Sequence, residues 1–162
     1  MQAIEPLEYG YTYHIYNRGI HGADLFTCEA DNKHFLTLYE RYITPVADTY
    51  AWVLLRNHFH YFNKRNARHG GFFETPFRRI RVNTEKYFRQ IVFYIHRNPV
   101  KHGFVVHISD WVWSSYQTII SEKQTRLRRE TVLEYFDDAA NFEAWHQREH
   151  DLKDVGNLLL EE

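Results

Sequence analysis

The chain is poor in the residues that mark special environments. A single cysteine, Cys28, among 162 residues excludes an internal disulfide and fits a reducing compartment. Seven glycines and four prolines are spread thinly, with no repeat, low-complexity tract or Gly/Pro-rich linker. No apolar run approaches the roughly 20 residues of a membrane helix. The opening Met-Gln-Ala-Ile-Glu-Pro lacks a signal-peptide pattern, so a cytoplasmic protein without a membrane partner is expected. What is present is a folding composition, 44% hydrophobic and 17% aromatic, too apolar for a disordered chain.

A net charge of −1 argues at first against a polyanionic partner, but the distribution reverses that. Residues 1–55 hold 3 Lys/Arg against 7 Asp/Glu, residues 56–101 hold 11 against 2, and residues 102–162 hold 6 against 12. A basic centre between acidic flanks is the footprint expected for nucleic acid. The bland alternative is an ordinary mixed surface; the histidines of the same stretch (His58, His60, His69, His96) weigh against it.

Periodicity organises the chain into alternating elements. Tyr11 to Asn17 reads as a strand, Glu29 to Tyr42 as a helix stopped by Pro45, and Thr49 to Leu55 as an apolar strand. Arg56-Asn57 turns the chain into His58 to Phe62, which alternates like a strand. A basic loop follows from Asn63 to Gly71. Phe77 to Val82 can form another strand, with Arg78, Ile80 and Val82 on one face and Phe77, Arg79 and Arg81 on the other. Thr84 to Asn98 is the clearest helix, expected to end at Pro99. Asp110 to Tyr116 is aromatic without clear periodicity, and short helices are expected near 129–136 and 141–152. This order predicts an α+β fold with an antiparallel sheet.

Two residue pairs carry chemistry. His58 and His60, two apart on a strand, point to one face about 7 Å apart and can converge on one cation, although 11 histidines also make chance pairs. Tyr94 and Asn98 lie at i and i+4 on one side of the helix, with Tyr87 two turns earlier on the same side. A tyrosine there is commonly a half-buried packing residue, and Asn is common at helix ends. Together the pairs suggest a mechanism. His58, His60 and Asn98 would hold Mg²⁺ or Mn²⁺ in an open site that polarises a phosphodiester, and Tyr94 would attack phosphorus to form a 5′-phosphotyrosine.

Five segments carry a resemblance: Tyr13-His-Ile-Tyr-Asn-Arg-Gly19, Asn57-His-Phe-His60, Gly71-Phe-Phe-Glu-Thr-Pro-Phe77, Tyr94-Ile-His-Arg-Asn-Pro-Val100 and Trp113-Ser-Ser-Tyr116. In this order the sequence resembles the REP-associated tyrosine transposases, single-tyrosine HUH enzymes, over about residues 11 to 116. The resemblance implies a ferredoxin-like antiparallel sheet with helices packed on it, plus short C-terminal helices. It implies DNA cleavage and joining by Tyr94, metal ligation by His58, His60 and Asn98, and single-stranded, hairpin-containing DNA as partner. A homodimer is compatible with it. Residues 1–120 would form the transposase domain and 121–162 its helical extension. Lys64, Arg65, Arg68, Arg78, Arg79, Arg81 and Arg97 are the candidate DNA contacts, each against a default of a solvated basic face.

The remaining candidates are weaker. Trp111, Trp113 and Tyr116 could stack on bases, but aromatics at this density are more often core; His14 and His96 read as supporting groups, and Cys28 as a packing residue. Two departures from the family matter. Arg56 stands where proline is usual, which a turn tolerates. His60 is followed at once by Tyr61-Phe-Asn-Lys-Arg-Asn66, a string that in relatives closes a helix well beyond the histidine strand. A chain break between His60 and Tyr61 is therefore expected, since one peptide cannot join those two places. An unbroken chain would instead indicate a shortened member and favour the rival function, nucleic-acid binding without cleavage. A metal-binding protein without nucleic acid is a third reading, opposed by the basic centre.

Overall fold

Aromatic and β-branched residues favour a pleated, half-buried segment, and the first such stretch becomes a central strand. The computed structural model describes residues 6–64 and 77–148, with 61–64 described by their backbone. Strand β1 (Thr12–Arg18), helix α1 (Glu29–Tyr42), strands β2 (Asp48–Leu54), β3 (His58–Lys64) and β4 (Arg78–Val82) and helix α2 (Glu85–Lys101) follow in order. Three short helices complete the described chain: α3 (Tyr116–Ile120), α4 (Arg129–Tyr135) and α5 (Ala139–His146). The sheet order is β2-β3-β1-β4 and every pairing is antiparallel. This is the expected ferredoxin-like α+β arrangement.

The sheet separates two apolar layers. On one face Trp52, Leu54 and Phe59 meet Phe35, Leu36 and Tyr39 of α1. On the other, Ala51, Val53 and Tyr16 meet α2 through Phe88, Ile91, Val92 and Ile95, and Val132, Phe136 and Phe142 of α4 and α5 close the same core. Helix α2 is thus covered by the sheet on one side and helices on the other, which is why 11 of its 17 residues are buried. Thr84 caps its start, the hydroxyl accepting from Tyr87 N at 3.1 Å.

Three expectations are corrected here. Strand β3 runs unbroken through the His60–Tyr61 peptide: His60 pairs with Tyr16 and Val53, and Tyr61 with Ile15 and Trp52. The predicted chain break is wrong. β3 and β4 both run antiparallel to β1, which lies between them, so the link must return along the sheet. A seven-residue strand is roughly 23 Å long, and the 13 residues between Lys64 and Arg78 reach about 43 Å when extended. No crossover helix is needed to make that return. Residues 65–76, including Arg65 and Arg68, lie outside the described residues.

Pro99 does not end α2, which continues to Lys101. Proline at this point removes one donor in the final turn, and the burial of Asn98 and Pro99 outweighs that small loss. Gly103, at φ +74°, is the actual stop, a left-handed residue just past the helix end. Cys28 is not a packing residue. It is an exposed free thiol at the N-cap of α1, where Asp31 accepts from Thr27 N and Cys28 N at 2.7 and 3.2 Å.

The aromatic 111–116 segment lies along β2. Leu54 N donates to Trp113 O and Ser115 N to Trp52 O, both at 2.9 Å, so the segment satisfies an outer edge that would otherwise be open. Tyr116 is buried and Trp111 and Trp113 pack on the two cores. Among the described residues, no helix is long and apolar enough to cross a membrane.

Candidate functional site

The β2–β3 hairpin sets the first part of the site. Leu55 N donates to His58 O at 2.8 Å across the Arg56-Asn57 turn. That turn is held from outside: Gly19 N donates to Asn57 O at 2.9 Å, and Leu25 N and Phe26 N donate to Arg56 O. A Cβ on Gly19 would collide with the Ala23 carbonyl, so this approach requires glycine. Arg56 contributes an ion pair to Asp24 at 2.7 Å, which accounts for its tolerance in the turn.

Leaving this turn, His58 and His60 share the sheet face that meets α2, with ring centroids 5.3 Å apart. The strand period predicted that shared face, and the structure brings the pair together. Each imidazole is oriented by its Nδ1. His58 Nδ1 is 2.6 Å from Asn57 Oδ1, and an amide oxygen only accepts, so Nδ1 carries the proton and Nε2 the lone pair. His60 Nδ1 is 3.0 Å from His14 Nε2, an arrangement that leaves His60 Nε2 as the ligating atom when Nδ1 donates.

Helix α2 supplies the other wall. Tyr87, Ile91, Tyr94, Asn98 and Lys101, spaced three or four apart, stack on one side. The Tyr94 ring stands edge-on to His60, centroids 5.5 Å apart and planes at 88°, and 6.2 Å from His14. Lys101 Nζ is 5.3 Å from the Tyr94 ring centroid. Asn98 is fully buried. Its Nδ2 donates to Tyr94 O at 3.1 Å, while its Oδ1 is buried with no hydrogen-bond partner among the described residues.

Burial keeps His14 and His60 neutral. Desolvation lowers the His14 pKa to about 3. It also holds His60 well below its ordinary value, reinforced by the neighbouring His14 and His58. Neutral imidazole is the form that binds a cation. Two oriented histidines and an orphaned amide oxygen therefore fit a divalent ion chemically. Among the described residues no group of three or more His, Cys, Asp or Glu is arranged to hold a metal, so among them a third ligand beside the two histidines would be the Asn98 amide. Tyr87, on the same side of α2, is poorly suited to act as a nucleophile in its place: burial and Tyr16 push its pKa up, and its hydroxyl is buried with no partner among the described residues.

The basic residues are not gathered on one surface. Arg78 pairs in register with Tyr16 and so shares the site's face, whereas Arg79 and Arg81 stand opposite Ile15 and Tyr13 on the other. Arg81 already lies 3.6 Å from Glu8 and over the Tyr11 ring, and Arg97 lies over Phe93. Lys64 belongs to β3 by its backbone. His96 is not a supporting group of the site. Two residues past Tyr94, it is turned about 200° around the helix. Its Nδ1 lies 2.9 Å from His146 Nε2 and its Nε2 2.8 Å from Ser115 Oγ.

Residues that the sequence reading missed are Lys101 and His102. His102, the cap of α2, has its ring 4.9 Å from that of His58. The only sequence signal for it was its position four residues after Asn98.

Comparison with known proteins supports the architecture. A solved structure described as a REP-associated tyrosine transposase bound to a REP hairpin superposes with a TM-score of 0.61 at 20% identity, covering 75% of this chain and 86% of that one. At that identity the likeness concerns the fold. No family model matches the sequence, and no curated protein does.

Proposed function

We propose that this protein is a metal-dependent nuclease and strand transferase of single-stranded DNA, with Tyr94 as nucleophile. The observation that carries the proposal is the placement of Tyr94 against His60, ring centroids 5.5 Å apart, with His58 on the same face. The superposed hairpin-bound transposase and the basic 56–101 segment support DNA as the substrate.

His58 Nε2, His60 Nε2 and Asn98 Oδ1 are the atoms that would hold Mg²⁺ or Mn²⁺; a bound ion supplies Lewis-acid polarisation of the phosphodiester and steadies the leaving oxygen. The Tyr94 oxygen attacks phosphorus, the bond to the 3′ oxygen breaks, and the 5′ end remains on the tyrosine. The phenol loses a proton and the departing 3′ oxygen gains one. Rejoining reverses the step when a 3′ hydroxyl attacks the phosphotyrosine. The Lys101 ammonium, near the Tyr94 ring, stabilises negative charge on the phenolate and phosphate. Arg78, on the same face of the edge strand, is placed to meet the DNA backbone. Arg79, Arg81 and Arg97 would then make peripheral contacts or none.

A second reading, binding without cleavage, is favoured by two observations. Tyr94 is only 4% exposed, so attack requires its side chain to be uncovered, and β3 runs unbroken through His60–Tyr61 with only 13 residues between Lys64 and Arg78, a shorter link than the sequence resemblance implies. The short link removes none of His58, His60, Tyr94 or Asn98, which is why cleavage is preferred. The test is incubation with a single-stranded hairpin oligonucleotide and Mn²⁺, followed by a denaturing gel. A covalent protein–DNA band that disappears in Tyr94→Phe supports the enzyme. Tight binding with no band under Mg²⁺ or Mn²⁺ decides for the binding protein.

A further inference from the structure

The segment just beyond α2 holds rings for which the core has no use. Gly103 at φ +74° reverses the chain, and Phe104 N donates back to Pro99 O at 2.9 Å, fixing residues 102–104 against the helix end. Four rings then run in sequence from the candidate site outwards. His58 and His102 are 4.9 Å apart, His102 and Phe104 6.5 Å, and Phe104 and Trp111 5.4 Å with planes 33° apart. Trp111 is the anchor, its indole N–H donating to Leu54 O at 3.0 Å. Phe104 belongs to neither apolar cluster and is 40% exposed; His102 is exposed.

We infer that His102 and Phe104 form a stacking shelf for unpaired bases beside the phosphate that Tyr94 attacks. This rests on the nucleic-acid reading above and extends it to substrate positioning. An aromatic ring backed by a second, hydrogen-bonded ring is preorganised, so a base loses little freedom beyond its own on stacking. Single-stranded DNA is bound in this way, by aromatic faces alongside a cationic track. The cation here is Lys101, adjacent in sequence and directed at Tyr94. The row begins at His58, so a base on the shelf lies next to the reacting phosphate rather than remote from it. A purely structural cap would need neither Phe104's exposure nor its continuity with the histidines.

The experiment uses the full-length chain carrying Tyr94→Phe, so that DNA stays intact. The probe is a single-stranded oligonucleotide with a short hairpin, bearing 2-aminopurine at one position at a time beside the hairpin foot. Phe104→Ala should weaken binding about ten-fold, the loss expected for one stacked base, and abolish fluorescence quenching at one or two positions. Phe104→Tyr should restore both, whereas Phe104→Leu, which keeps the apolar bulk and guards against misfolding, should not. His102→Ala should reduce quenching at the position nearer the cleaved bond. If Phe104→Ala and Phe104→Leu bind within two-fold of the parent with unchanged quenching, the shelf is wrong while DNA binding stands. If the parent binds no single-stranded DNA at low salt, the nucleic-acid reading falls and the shelf with it.

Discussion

His14 and His60, 46 residues apart in sequence, face each other on adjacent strands with Nε2 and Nδ1 separated by 3.0 Å. One of the two must donate. If His60 Nδ1 does, its Nε2 keeps the lone pair a metal needs, and His14 Nδ1 becomes a buried N–H with no partner among the described residues. Holding His60 in that tautomer would offset this cost once an ion is bound. His14→Ala is therefore expected to weaken Mn²⁺ binding about 10- to 100-fold, read by calorimetry or electron paramagnetic resonance. Unchanged affinity would reduce the pair to packing.

Tyr87 lies on the Tyr94 side of α2 yet has a buried hydroxyl with no partner among the described residues. Removing an unsatisfied hydroxyl relieves its desolvation cost. Tyr87→Phe should leave covalent adduct formation intact and stability unchanged or raised by about 1 kcal/mol. Loss of the adduct in this variant alone would move the nucleophile from Tyr94 to Tyr87.

A polar chain ties the outer helices to α2. His146 Nδ1 donates to Phe142 O at 2.8 Å, since a carbonyl only accepts. The rest of the order follows: His96 Nδ1 donates to His146 Nε2 at 2.9 Å, and Ser115 Oγ donates to His96 Nε2 at 2.8 Å. Ser115 Oγ in turn accepts from Trp52 N at 2.9 Å. His146→Ala leaves a cavity beside Phe142 and takes the partner from His96 Nδ1, and should cost about 2–4 kcal/mol in urea unfolding. A loss under 1 kcal/mol would mean the chain contributes little.

Acid should unfold the protein early. His14 titrates near 3, and burial holds His60 and His96 well below the ordinary 6.5. Below pH 6.5 the unfolded chain takes up protons that the folded one refuses, so stability is full above that pH and falls as pH drops toward 3. Each imidazole contributes up to about 1.4 kcal/mol per pH unit. Urea midpoints at pH 7.5 and pH 5 should differ clearly; equal midpoints would contradict neutral burial.

DNA affinity should fall with salt, with a logarithmic slope of about −0.7 for each phosphate neutralised on a single strand. Arg78 shares the site's face and Arg81 is engaged by Glu8 and Tyr11. Arg78→Ala should thus flatten the slope by nearly one contact and Arg81→Ala by less. The reverse order would place the DNA across the opposite face of β4.

Local periodicity was enough to read much of this protein. The two-residue repeat put His58 and His60 on one face and split Arg78 from Arg79 and Arg81. The 3.6-residue repeat put Tyr87, Tyr94 and Asn98 on one side of α2. Both repeats are properties of the backbone, so they set side-chain directions without reference to the rest of the chain. What lies across from those side chains is another matter. That His14 meets His60, that Tyr94 stands edge-on to His60 while His96 turns to His146 and Ser115, and that His102 meets His58 all depend on strand register and on how α2 seats on the sheet. The same long-range packing carried α2 past Pro99, because burial of its last turn outweighed a lost hydrogen bond. It also carried β3 through His60–Tyr61, where backbone pairing on both sides of the strand decided a path that the sequence resemblance had led us to expect broken.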